Sequence, residues 1–143
     1  MIFAYYDNQL GHFHHNADYL AISDIASMFY NLIREFDGVF YKLYCFTIMP
    51  NHVHLLFKIL NSRDGKPHEM AFIIKKLKAI SARNANKILN REGKFWFREY
   101  YDYSVRTEIE FYRIIEYIVK NPSKADLVSE SEKWQWTWVR EIE

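Results

Sequence analysis

His52 and His54 stand one residue apart in the run Met49-Pro50-Asn51-His52-Val53-His54-Leu55-Leu56, and a Tyr117-x-x-x-Asn121-Pro122 element follows near the end of the chain. Side chains alternate between the faces of a strand. If residues 52–59 form one, both imidazoles lie on one face, with Val53, Leu55 and Phe57 on the other. Two imidazoles a pleat apart can grip one cation. The same spacing also suits histidines that are simply packed in a half-buried strand, so it does not define a metal site by itself. Tyr117 and Asn121 are one helical turn apart, which lets a phenol and an amide face one site from the flank of a helix. A boundary tyrosine with a packed ring and a wet hydroxyl fits there too, and most of the chain's 11 tyrosines must be used that way.

Several elements have to position these groups. Residues 2–6 are apolar and aromatic and read as a first strand, followed by a polar stretch from Asp7 to Asp18. Ile22, Ile25, Ala26, Phe29, Leu32, Ile33 and Phe36 recur at three and four residues, the mark of an amphipathic helix, with Gly38 placed to end it. Residues 39–48 and 52–59 form a hairpin across the turn signal at Met49-Pro50-Asn51. A loop over 61–68 leads to a long helix striped by Met70, Ile73, Ile74, Leu77 and Ile80, reaching about Asn90. A short strand at 101–105 precedes a helix opened by the capping-box pattern Thr107-x-x-Glu110, buried through Phe111, Ile114, Ile115 and Ile118. That helix is expected to fade near Asn121, because the residue before Pro122 is pushed out of the helical region. The tail Trp134-Gln135-Trp136-Thr137-Trp138 reads as a short extended segment laying its rings on the body.

The first six elements follow the β-α-β-β-α-β order of ferredoxin-like α+β folds, an antiparallel sheet with helices on one face, and a further C-terminal helix carries Tyr117. At 143 residues, half of them hydrophobic and 18% aromatic, the chain 1–143 reads as a single domain with a sizeable core. This scaffold hosts many activities, so function rests on the site residues.

Nineteen basic and 18 acidic residues leave a formal charge of +1, so the chain as a whole presents no nucleic-acid field. The distribution is less even. Lys75, Lys76, Lys78, Arg83, Lys87, Arg91, Lys94 and Arg98 are opposed only by Glu92 over that stretch. Lys76, Arg83 and Lys87 share a helix face, and Phe95, Trp96 and Phe97 adjoin Arg98. Such mixtures hold single-stranded DNA through phosphate neutralisation and base stacking. Lys76, Arg83, Lys87, Lys94, Trp96 and Arg98 are therefore candidate DNA contacts, against a solvated helix face for the lysines and core packing for the rings. Cys45 alone excludes an intramolecular disulfide and a thiolate zinc cluster, and with no signal peptide or long apolar span visible, a cytoplasmic protein without membrane association is expected. His12, His14 and His15 read as a solvated loop, without a partner at ligand spacing.

The run from Tyr44 to Leu56 resembles the His-hydrophobic-His signature of the REP-associated tyrosine transposases, relatives of the small single-tyrosine insertion-sequence transposases. Gly93-Lys94-Phe95-Trp96-Phe97-Arg98-Glu99, the acidic helix start at 106–110 and the segment from Ile115 to Val128 agree in order. The resemblance extends over about residues 39–139, and the Met-Pro-Asn-His block paired with Tyr-x-x-x-Asn-Pro is what makes it specific. It implies the same ferredoxin-like architecture. It also implies that Tyr117 attacks a DNA phosphate to give a 5′-phosphotyrosine and a free 3′-hydroxyl. By position in the motif, His52, His54 and Asn121 would ligate a divalent ion, magnesium or manganese. The implied partner is single-stranded, hairpin-forming DNA, handled by a monomer or a homodimer. Two departures stand out. Asp7-Asn8-Gln9-Leu10 occupies the place of an Arg- and Asn-rich turn that helps relatives recognise a hairpin base, and Asp126 replaces a frequent glycine after the tyrosine helix.

The expectation is thus a metal-dependent tyrosine DNA nuclease and strand transferase. The rivals are a replication-initiator or relaxase-type nuclease, a domesticated DNA-binding protein without turnover, and a ferredoxin-like small-ligand domain.

Overall fold

In the computed structural model, which describes residues 3–10 and 18–141, five strands form one antiparallel sheet in the order β4-β1-β3-β2-β5. The strands are β1 (Phe3–Gln9), β2 (Tyr41–Met49), β3 (His52–Ile59), β4 (Tyr101–Val105) and β5 (Thr137–Val139). The helices are α1 (Ser23–Glu35), α2 (Met70–Leu89) and α3 (Glu108–Lys124), with a 3₁₀ turn at Tyr19–Ala21. The first four strands and two helices make the expected ferredoxin-like unit. β5 adds a fifth strand on the free edge of β2, where Trp136 and Trp138 pack against the core. The histidine group at 12, 14 and 15 lies outside the described residues.

The chain layers as its periodicities dictate. Ile25, Phe29 and Ile33 of α1 and Ile73, Ile74 and Leu77 of α2 pack on Val53, Leu55 and Phe57 of β3. On the opposite face, Phe111 and Ile118 of α3 close over Tyr5, Cys45 and Leu56. α3 therefore lies across the sheet from α1 and α2, leaving the ferredoxin-like pair of helices alone on its face.

A bulge in β2 sets the phase between these faces. Pairing with β3 runs Leu43 opposite Phe57 and then Cys45 opposite Leu56, so Tyr44 is an extra residue. Tyr44 and Cys45 both turn toward α3, after which Phe46 and Ile48 point into the core below α1 and α2. Thr47 is left on the α3 face, directly opposite His54.

Two expectations about boundaries change. β1 runs through Asp7 and Asn8 to Gln9 instead of stopping near residue 6. The polar letters suggested a loop, but their backbone pairs with His52–His54, and the buried Asn8 accepts from Tyr6 Oη at 2.7 Å and donates to the Gln9 and Phe97 carbonyls. There is consequently no turn at Asp7-Asn8-Gln9. Second, α3 does not fade at Asn121. Pro122 removes one N–H, yet the helix continues to Lys124, and burial of the ring offsets the lost bond. The helix closes by having Leu127 N donate to Pro122 O and Asp126 N to Ser123 O, with Asp126 at φ 58°. This is the Schellman arrangement, in which glycine is the usual left-handed residue. Asp126 keeps the turn and takes on its strain.

Among the described residues, no helix is long and apolar enough to cross a membrane.

Candidate active site

The central strand β3 carries the site. His52 and His54 lie on its α3 face, their ring centroids 4.7 Å apart and nearly perpendicular. His54 pairs with Asp7 on one side and Thr47 on the other, and His52 pairs with Gln9 and Met49. The hairpin turn between β2 and β3 is pinned from outside. Leu20 N donates to Pro50 O and Leu10 N to Asn51 O, each at 2.9 Å. The Met-Pro-Asn-His block is thus a fastened two-residue turn that fixes where the first histidine begins.

A hydrogen bond sets the His52 tautomer. Asn51 Oδ1 can only accept, so His52 Nδ1, 2.7 Å away, carries the proton and leaves Nε2 with a lone pair. His54 is 2% exposed, and its Nδ1 lies 2.6 Å from Tyr5 Oη and 3.8 Å from Asp7 Oδ2. Its Nε2 is buried without a hydrogen-bond partner, as is Asp7 Oδ1. A buried polar atom left unpaired costs about 1–3 kcal/mol, so an unsatisfied imidazole nitrogen is a place where a ligand is expected. Burial, helped by His52, pushes the His54 pKa down to about 3, and burial also lowers His52. Both rings are neutral near pH 7, the form that binds cations.

α3 brings Tyr117 to this pair. Its ring meets His54 edge-on with centroids 5.6 Å apart, and it is 45% exposed. Thr107 caps the helix, its Oγ1 accepting from Glu110 N at 3.1 Å; the other half of the expected capping box is replaced, because Glu110 instead accepts from the hydroxyls of Thr107 and Tyr103. Lys124 Nζ sits 5.9 Å from the Tyr117 ring centre. A hollow of about 300 Å³ beside Tyr117 is lined by Arg113, Lys120 and Lys124, with Glu116 bonded to Lys120. Three cations around an exposed phenol suit a phosphate. Asn121, one turn beyond Tyr117, is half-buried.

The residues picked for DNA contact divide. Trp96 is corrected: it is 5% exposed, and its Nε1 donates to Ser81 Oγ at 2.9 Å, so the ring belongs to the core and offers no face to a base. Arg83 and Lys87 line a separate cleft of about 820 Å³ with Asn86, Asn90 and Arg91. Lys76 lies over the Phe40 and Phe72 rings, while Lys94 and Arg98 are exposed. Sequence reasoning missed Tyr5 and Asp7 beside the histidines. Their signal was the alternation Tyr5-x-Asp7, which becomes informative only once β1 is known to pair with β3.

A divalent ion fits the donor set. Two neutral imidazoles, one of them with a buried and unpaired Nε2, lie beside a helix bearing an amide at Asn121. Among the described residues, no group of three or more His, Cys, Asp and Glu side chains could hold a metal, so an amide would have to complete the protein's share.

Comparison with known proteins bears on the fold and the family. No curated protein matches the chain. Among solved structures, a REP-associated tyrosine transposase bound to a REP hairpin superposes with a TM-score of 0.71 at 12% identity, covering 94% of this chain and 74% of that one. A Deinococcus radiodurans protein assigned as a transposase gives a TM-score of 0.52 at 22% identity, covering 80% and 87%. At these identities the likeness is one of fold. The family model "Transposase IS200 like" matches residues 18–121, which takes in the paired histidines and ends on Asn121. The chain belongs to the IS200-like transposase family.

Proposed function

We propose that this transposase cleaves and rejoins single-stranded, hairpin-forming DNA through Tyr117. The observation that carries the reading is the contact of an exposed phenol with a buried imidazole whose Nε2 is unpaired. In the forward step, Tyr117 Oη attacks phosphorus and gives up its proton to water. The bond from phosphorus to the 3′ oxygen breaks, and that oxygen takes a proton, leaving a 5′-phosphotyrosine and a free 3′-hydroxyl. The linkage conserves the energy of the broken bond, so a second 3′-hydroxyl can displace Tyr117 without a nucleotide cofactor.

His52, His54 and the Asn121 amide oxygen would hold magnesium or manganese, with imidazole donors favouring manganese. Bound there, a divalent ion would supply Lewis acidity to the scissile phosphate. Tyr5 Oη then accepts from His54 Nδ1–H and fixes the tautomer that presents Nε2. Arg113, Lys120 and Lys124 attract the phosphate and hold the strand beside the phenol.

The test is covalent capture. Hairpin oligonucleotides with single-stranded flanks, labelled at the 3′ end, are incubated with the protein and manganese and resolved under denaturing conditions. Label should travel with wild-type protein and be absent from Tyr117→Phe, which should still bind DNA. Adduct at normal yield in Tyr117→Phe places the nucleophile elsewhere. Salt-sensitive binding with no adduct in either protein leaves a DNA-binding protein without turnover.

A further inference from the structure

Tyr117 also forms one wall of a second, larger hollow. About 490 Å³ in volume, it opens between the β1–β4 edge of the sheet and α3. Pairing places Tyr5 opposite Tyr103 and Asp7 opposite Tyr101, so all four side chains share the sheet face that looks at α3. From the helix, Arg113 and Tyr117 face them, one turn apart. The aromatic floor is uncovered, with Tyr101 57% and Tyr103 43% exposed. Exposed neighbouring rings on a sheet face that is elsewhere packed by α3 call for an occupant.

Charge narrows what the occupant can be. Asp7 and Glu110 both line the hollow, against the single guanidinium of Arg113. A phosphate would meet two carboxylates and one guanidinium here, whereas the hollow on the other side of the same tyrosine sets Lys120, Lys124 and the shared Arg113 against Glu116 alone. A simple cation would meet the guanidinium. A flat neutral group with donors and acceptors on its edge suits rings, carboxylate and guanidinium together, and the volume lies within the usual range of ligand pockets, roughly 300–1,000 Å³. The shared wall at Tyr117 ties that group to the strand under attack.

We propose that this cleft takes the unstacked base of the nucleotide adjoining the scissile phosphate, with its ring on Tyr101 and Tyr103 and its edge read by Asp7 and Arg113. The inference rests on the strand-cleavage reading above and adds a specificity that resides in the protein. A carboxylate only accepts, so it favours bases that present an exocyclic amino group. Thymine offers only its N3–H, flanked by two carbonyl oxygens that repel the carboxylate, and is disfavoured.

The experiment uses the full chain, manganese and a library of hairpin strands randomised through the single-stranded flank, with both cleavage products sequenced. In wild-type protein, thymine should be depleted roughly tenfold at one of the two positions adjoining the cleaved bond. Asp7→Asn, which keeps the shape and adds a donor, should readmit thymine there. Tyr101→Ala, at an exposed position outside the phosphate-binding trio, removes the stacking ring, should flatten the base preference and serves if Asp7→Asn yields too few products. Adducts with even base frequencies at both positions, or a preference unmoved by Tyr101→Ala, overturn the base pocket while leaving strand cleavage standing. Absence of adduct from every library strand overturns the cleavage reading and this inference with it.

Discussion

The Tyr5 hydroxyl and His54 Nδ1 meet at 2.6 Å on adjacent inner strands of the sheet, closer than the 2.7 Å between His52 Nδ1 and Asn51 Oδ1. β1 supplies one atom and β3 the other, so the tautomer of a buried imidazole depends on strand pairing. Tyr5→Phe keeps the ring and removes the bond. It should weaken manganese binding about 10–100-fold by titration calorimetry. A role in packing alone would lower Tm and leave the affinity unchanged.

His52 is half-buried and contributes through its ring, so His52→Ala is expected to fold. Covalent adduct should fall by roughly a hundredfold or more, and EDTA should abolish it in the wild type and manganese restore it. Far-ultraviolet circular dichroism should match the wild type. Undiminished adduct in His52→Ala would remove this residue from the ligand set.

Asp126 sits at φ 58° in the turn that ends α3. Glycine has no Cβ penalty there, so Asp126→Gly should stabilise the fold by about 0.5–1 kcal/mol and raise Tm by roughly 2–4 °C. A lower Tm would mean that the carboxylate makes a compensating bond at the helix end.

Cys45 is buried under α3, and burial pushes its thiol up to about 12 from an ordinary 9. Iodoacetamide at pH 8 should leave folded protein unmodified and alkylate it fully in guanidinium, read by mass spectrometry. The raised folded value also sets a sign. The unfolded thiol ionises first, so this group's stabilising contribution is complete below pH 9 and is lost as pH rises from 9 toward 12.

The sequence made some of this legible and hid the rest for physical reasons. The alternation of β3 is local, so the shared face of His52 and His54 could be read directly, as could the apolar stripes of α1 and α2. What escaped depends on partners distant in the chain. Asp7, Asn8 and Gln9 read as loop because their backbone pairs with β3, more than 40 residues away, and the Asn8 amide with Phe97, more than 80. Trp96 read as a possible stacking ring until Ser81 supplied a buried acceptor for its indole. Pro122 predicted a helix end because the sequence does not reveal that the ring is buried. Likewise, the tyrosines at 101 and 103 gain meaning only from their register against β1.

The bulge at Tyr44 has a consequence for how this strand can change. Because the two sides of β2 differ in kind, loss of that one extra residue would bring an aromatic or aliphatic group under the His54 imidazole and drive the Thr47 hydroxyl into the oily interior. Length changes just before Phe46 are therefore tolerated in pairs and punished singly. Parity in a neighbouring strand, which itself lends no ligand, guards the chemistry.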